Sequence, residues 1–199
     1  MATVVFLYNS WKGLHEDCGS QNTIGFSWML ILVMILVGRM FGGGWKSGGP
    51  WWQILAVWNY MKIQYLAGLI AGVITTLLIA NQKKWKTWLI LEDLTPGFLL
   101  FLGVMYIGDI LKEMSLYNLV KLGIIVFVYW WARWLLGKYR SFVWYRSGKK
   151  GFIFFAVSMV VLLLLAANAF FLQNGTYLPF LYLGMGLLSL IGLYILGRV

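Results

Sequence analysis

Long apolar runs separated by short polar joints dominate the chain, so run length carries more of the structural signal than periodicity does. Six such runs lie at about 24–41, 63–80, 88–111, 119–136, 151–171 and 177–196. At about 18 residues or more, each can carry an α-helix across roughly 30 Å of hydrocarbon. Backbone groups find no water inside a bilayer, which leaves helices and closed barrels as the only spanning structures. The pattern therefore predicts an all-α, polytopic helical membrane protein with about six transmembrane helices. One stretch differs: Trp51, Ile54, Leu55 and Trp58 follow the i, i+3, i+4, i+7 spacing of a single helical face. Its tryptophans suit the headgroup layer, so one interfacial helix is expected there, after the flexible loop Gly42–Pro50. The domain organisation that follows is a mixed polar N-terminal segment, 1–23, and one transmembrane domain, 24–199.

Composition agrees. Of 199 residues, 61% are hydrophobic and 11% charged, far below the quarter that soluble domains carry. The net charge of +10 is spread over the joints rather than gathered in a basic domain, which argues against a nucleic-acid partner. Sorted by alternating sides, one side receives Lys12, Lys83, Lys84, Lys86, Arg133, Lys138, Arg140, Arg146, Lys149, Lys150 and Arg198. The other receives Arg39, Lys46, Lys62, Lys112 and Lys121. Cations accumulate on the cytoplasmic side, so both termini are expected there, in an inner (cytoplasmic) membrane. Cys18 stands alone, which excludes an internal disulfide framework and a multi-cysteine metal site. Its neighbours His15, Glu16 and Asp17 are polar, unlike the small apolar residues before a lipidated cysteine. The first residues lack a basic region before an apolar core, so no cleaved signal peptide is expected. As the lone thiol, Cys18 also tests the orientation. A membrane-impermeant maleimide is expected to label it only after cells are permeabilised, and labelling of intact cells would reverse the topology.

Candidate chemistry is sparse. Gly68-Leu-Ile-Ala-Gly72 is a GxxxG whose smooth strip, widened by Ala67 and Ala71, serves either close packing, here expected against the third span, or a lipid groove. Glu92 and Asp93 either reach the interface or precede a helix that starts at Thr95-Pro96, since Thr caps helices well and Pro suits their first turn. Asp109 and Glu113 share a helical face near Lys112 at the far end of that span. The single histidine, His15, lies among polar residues without an oriented partner. No Ser-His-Asp set, phosphate-binding glycine loop or metal-ligand spacing occurs, so neither a catalytic group nor a metal or cofactor is assigned.

The order of features from 35 to 113 resembles the prolipoprotein diacylglyceryl transferase family. That family carries a Gly-x-Arg at a span end, an aromatic loop, "E-I-L-A-I-W-N-G-G", "H-G-G-L-I-G-G", "L-D-x-x-A-P" and "G-R-x-G-N-F-x-N-G-E". The corresponding stretches here are Val37-Gly38-Arg39, the 42–52 loop, Gln53 to Asn59, Ala67 to Gly72, Glu92 to Pro96, and Tyr106 to Glu113. Further on, Ser115-Leu116-Tyr117 resembles "P-T-Q-L-Y-E", and Ser147 to Phe154 resembles "P-G-x-L-F". The resemblance extends from the first span to the last. Family members usually have seven spans with the N-terminus outside, so this chain looks shortened by the first.

The resemblance implies transfer of a diacylglyceryl group from phosphatidylglycerol to the lipobox cysteine of a secreted precursor, with phosphatidylglycerol and prolipoprotein signal peptides as partners. The site residues it implies are Arg39, Asn59, Gly68, Gly72, Tyr106, Gly108, Asp109 and Glu113. Three positions depart from the family. Its signature Arg, which holds the lipid phosphate, falls at Tyr106; the His of H-G-G falls near Leu66; and no Arg occurs between Arg146 and Arg198. A bidentate guanidinium clamp is not reproduced by a phenol. Three functions stay open: a divergent transferase with Arg39 and Lys112 standing in for the missing arginines, a non-catalytic relative binding lipid or precursor, and a small transporter or scaffold.

Overall fold

The computed structural model describes residues 2–18, 20–41, 65–138, 150–172 and 178–198. Regular structure among them is helical: α1 (Ala2–Cys18), α2 (Ser20–Arg39), α3 (Tyr65–Gln82), α4 (Thr87–Lys112), α5 (Leu116–Lys138), α6 (Phe152–Leu172) and α7 (Leu178–Arg198). Among the described residues, α2 to α7 are long and apolar enough to cross a membrane. The chain is an all-α, multi-pass membrane protein. Only 11% of the apolar window of α7 is buried within the chain, and Leu187, Leu188, Ile191 and Ile195 stand exposed along it. Such a face is stable where lipid tails, not water, surround it. The interfacial helix expected at 51–58, and Asn59, lie outside the described residues.

The N-terminal segment, polar in composition, is helical over α1. Phe6, Ser10 and Leu14, four apart on one face, are fully buried, whereas Tyr8, Trp11 and Lys12 are exposed. A buried stripe of one residue per turn that includes a serine is too sparse to stand out from the sequence. Thr23 Oγ1 donates to the Leu14 carbonyl at 3.4 Å and fastens the start of α2 to the end of α1.

Two compact units divide the chain: Leu7–Ile90, and Met1–Phe6 together with Leu91–Val199. In the first, α2 packs on α3 through a stripe of Gly68, Gly72, Thr76 and Ala80, all buried. A Cβ on Gly68 would lie 2.6 Å from the Met34 carbonyl oxygen and 3.7 Å from Gly38 Cα. Gly68 thus serves helix packing, as the small residues predict, and the helix it meets is α2, the first span, where the third was expected. Small residues specify a close approach without naming the helix that makes it. At the end of α3, Lys84 takes a left-handed φ of 56° and Trp85 N–H bonds to the Ala80 carbonyl, which stops the helix. Phe26 meets Trp85 edge-on with centroids 5.7 Å apart.

In the second unit Phe6 packs on Phe98 and Phe101, with centroids 5.4 and 6.1 Å apart. The α6–α7 pair is drawn together at Gly186, beside Leu163, and at Gly192, which the Phe155 ring covers. The helix start expected at Thr95-Pro96 does not occur. α4 begins at Thr87 and runs through Pro96 unbroken. Thr95 caps nothing; its Oγ1 donates back to the Leu91 carbonyl at 2.7 Å. Pro96 cannot donate to the Glu92 carbonyl, one turn earlier, and that lost rung is the cost of keeping it inside a helix. The Glu92 carboxylate is 4% exposed and accepts the N–H of Gly151, at the entry to α6. A carboxylate there also faces the positive end of the α6 dipole.

Candidate functional site

Two groups of residues carry polar chemistry at helix ends, one in each unit. In the Leu7–Ile90 unit, Arg39 closes the last turn of α2 and is 3% exposed. Its neighbour Gly38 is buried at the point where Gly68 lets α3 approach, so the helix crossing fixes the backbone that carries the guanidinium. A buried Arg in a membrane helix is costly and marks a functional position by default. Gly72 is buried on the same stripe, and its carbonyl accepts Thr76 Oγ1 at 2.8 Å. Of the two glycines expected in a binding site, Gly68 meets α2 at Met34 and Gly38, next to Arg39, and Gly72 is buried one turn further along α3.

The second group lies where α4, α5 and α6 come to one end of the Leu91–Val199 unit. Tyr106 on α4 is 3% exposed. Gly108 faces open space, with no atom within 4 Å of where its Cβ would stand. Asp109 is half-buried, whereas Lys112 and Glu113 are exposed. The Glu113 N–H bonds to the Asp109 carbonyl at 2.9 Å and ends the helix. Ser115 then caps α5, its Oγ accepting the Asn118 N–H at 3.3 Å. Of the sequence-derived candidates, Tyr106, Gly108, Asp109 and Glu113 fall on this end of α4.

Lys121 completes the group. Its ammonium lies 3.8 Å from the centroid of Tyr117 and 5.3 Å from that of Tyr106. It donates to Asn118 Oδ1 at 3.3 Å, and Asn118 is oriented by its own Nδ2, which donates to the Glu113 carbonyl at 3.2 Å. Asp109 lies within electrostatic reach of Lys121. From α6, Asn168 Nδ2 donates to the Tyr117 carbonyl at 3.3 Å, while its buried Oδ1 receives no hydrogen bond. Sequence reasoning counted Lys121 only as a loop charge and passed over Asn118 and Asn168. The available signal was Asn168 itself, a carboxamide inside an otherwise apolar run, where an unsatisfied amide costs several kcal/mol.

Near the same end of α6, a cleft of about 280 Å³ opens toward α7, lined by Leu163, Ala166, Phe170, Pro179, Phe180 and Leu183. Its walls are apolar throughout, suited to a hydrocarbon chain and to no polar ligand. Among the described residues, no three His, Cys, Asp or Glu side chains come together as a metal site.

No family model matches the chain, and no solved structure matches it. A 54-residue stretch is 33% identical to the phosphatidylglycerol–prolipoprotein diacylglyceryl transferase of Oceanobacillus iheyensis. The match covers 27% of this chain and 18% of that protein's length.

Proposed function

We propose that the chain is a membrane transferase of the diacylglyceryl transferase type, or a lipid-binding derivative of one, acting on phosphatidylglycerol in a bacterial inner membrane. The observation that carries this is the 54-residue stretch that is 33% identical to a protein of that name. The resemblance of motif order from Val37 to Glu113 supports it, as does the buried Arg39 at the position of the family's Gly-x-Arg. In the reaction, a lipobox cysteine thiolate attacks the diacylglyceryl carbon of phosphatidylglycerol. An S–C bond forms, the C–O bond to the phosphate breaks, and glycerol phosphate leaves with the electron pair. A base must take the thiol proton, and cationic groups must hold the phosphate as charge gathers on its oxygen. Arg39 is the group of this chain suited to the second role. The termini are cytoplasmic in this scheme, which places Arg39, Tyr106 and Lys121 toward the outer leaflet.

Tyr106 favours a second outcome, because a phenol holds the place of the family's phosphate-binding Arg. The chain then binds phosphatidylglycerol or a precursor without turning it over. Purified protein mixed with phosphatidylglycerol and a lipobox peptide separates the two. Thioether-linked diacylglyceryl peptide, detected by mass and lost in Arg39→Ala, establishes the transferase. Absence of product from the native chain, with product from Tyr106→Arg, establishes the derivative. Absence of both, with no preference for phosphatidylglycerol over a zwitterionic lipid, refutes the proposal and leaves a transporter or scaffold.

A further inference from the structure

We infer that Lys121 and Asn168, each in contact with Tyr117, form the headgroup site of this chain: the ammonium takes the phosphate of an anionic phospholipid, and the free carboxamide oxygen of Asn168 takes a headgroup hydroxyl. The inference deepens the lipid binding proposed above and rests on it. Arg39 holds the phosphate in that reading, and the sequence offers Lys112 as a second cation. The structure leaves Lys112 exposed on its helix end and brings a different cation over the buried ring of Tyr106. A positive charge therefore stands at the position where the Arg is missing, delivered from α5 instead of α4.

Three features make this a built site instead of a stray surface lysine. First, the ammonium is held in place. Its position over two aromatic faces is favourable for a cation, and Asn118 takes one of its three N–H donors. Among the described residues that is the single hydrogen bond it donates, so two donors remain for an anion. Second, Asn168 is 6% exposed and its Oδ1 has no donor, although its Nδ2 bond to the Tyr117 carbonyl fixes the amide in place. A buried acceptor left open costs free energy unless a ligand or water supplies a donor. Third, the depth is right. Lys121 lies five residues into α5, about 7.5 Å below its first residue along the axis, with apolar Leu119 and Val120 exposed beside it. That is the level of the boundary between headgroups and hydrocarbon, within reach of a lipid phosphate and poorly placed for a soluble one.

Cation and open acceptor together select the ligand. An anionic diester with hydroxyls on its headgroup satisfies both; phosphatidic acid offers the charge without the headgroup hydroxyls, and a choline headgroup offers neither net charge nor donor. Asp109, within electrostatic reach of Lys121, raises the cost of placing a second anion there, so a headgroup of modest charge is preferred to a multiply charged one.

The full chain, reconstituted into nanodiscs with equal parts phosphatidylglycerol and phosphatidylcholine and extracted for native mass spectrometry, tests this by the lipid it retains. The native protein is expected to retain phosphatidylglycerol selectively. Lys121→Gln is expected to reduce that preference about tenfold, the worth of one charge-assisted hydrogen bond. Lys121→Arg should retain it, and Lys138→Gln, which removes the same charge at the other end of α5, should leave it unchanged. Asn168→Leu should weaken retention of phosphatidylglycerol, and in nanodiscs where phosphatidic acid replaces phosphatidylglycerol it should leave retention of phosphatidic acid unchanged. Inorganic phosphate at 10 mM, a concentration of order 10 mM being ample for a weak anion site, should not displace the lipid; displacement would assign the site to a free phosphate and overturn the lipid assignment. Selectivity that survives Lys121→Gln but is lost in Arg39→Ala would overturn this inference while leaving the proposed function standing. A native chain with no selectivity would overturn both.

Discussion

Gly68→Leu is expected to abolish folded protein in detergent, and Gly68→Ala to cost roughly 3 kcal/mol or more, the upper range of overpacking penalties. The reason is the atom that a new Cβ would strike. At 2.6 Å it meets the main-chain carbonyl of Met34, which cannot rotate away as a side chain would, so α2 and α3 must separate along their whole contact. Arg39 sits one turn beyond Met34 and beside Gly38, so lost packing should also displace the guanidinium and weaken lipid binding. Gly108→Ala provides the contrast. Nothing lies within 4 Å of its Cβ position, and alanine is the better helix former by about 1 kcal/mol. Size-exclusion yield and thermal unfolding of the two alanine variants should therefore move in opposite directions. Equal behaviour would show that the α2–α3 crossing does not depend on Gly68.

Glu92→Ala is the second large effect, with an expected loss of about 2–4 kcal/mol. A hydrogen bond to a charged group contributes roughly 1.5–3 kcal/mol, and a charge facing a helix N-terminus up to about 2 kcal/mol in a buried setting. Removing the carboxylate leaves the Gly151 N–H in a buried place without that acceptor and takes the anion from the start of α6. Glu92→Gln keeps an acceptor and loses the charge, so it should lie between alanine and the native chain. Thermal denaturation in one detergent orders the series. If Glu92→Ala unfolds with the native protein, the carboxylate does not hold the α4–α6 contact.

Much of the candidate site was visible along the chain, though its use was not. Arg39, Asp109 and Glu113 drew attention as charges at span ends, and Gly68 and Gly72 as a motif, because each breaks an apolar run. Lys121 also breaks one, but a lysine near a span end has an ordinary explanation in membrane topology, and its position over Tyr106 depends on how α5 is rotated. Asn168 was hidden for a related reason. A single carboxamide in a long apolar run declares a cost, but its partner, the Tyr117 carbonyl, lies 51 residues away. Thr95-Pro96 misled in the other direction. Locally the pair is a good helix start, yet α4 continues through it, and Thr95 bonds back to Leu91 within the same helix.

The sequence by itself determined the class of protein and the six spans, since the thickness of hydrocarbon fixes how many consecutive apolar residues a helix must have, and that count survives any arrangement of the helices. Tertiary structure alone decided which face of each helix meets which neighbour. Runs that are apolar on every side encode no preferred rotation about the helix axis, and between lipid-solvated helices there is no hydrophobic force to choose a partner. That choice fell to a few contacts: Gly68 on the Met34 carbonyl, Glu92 on the Gly151 N–H, and Lys121 over Tyr106. Each depends on shape or on a polar partner distant in sequence, which is why it exists only once the helices are packed.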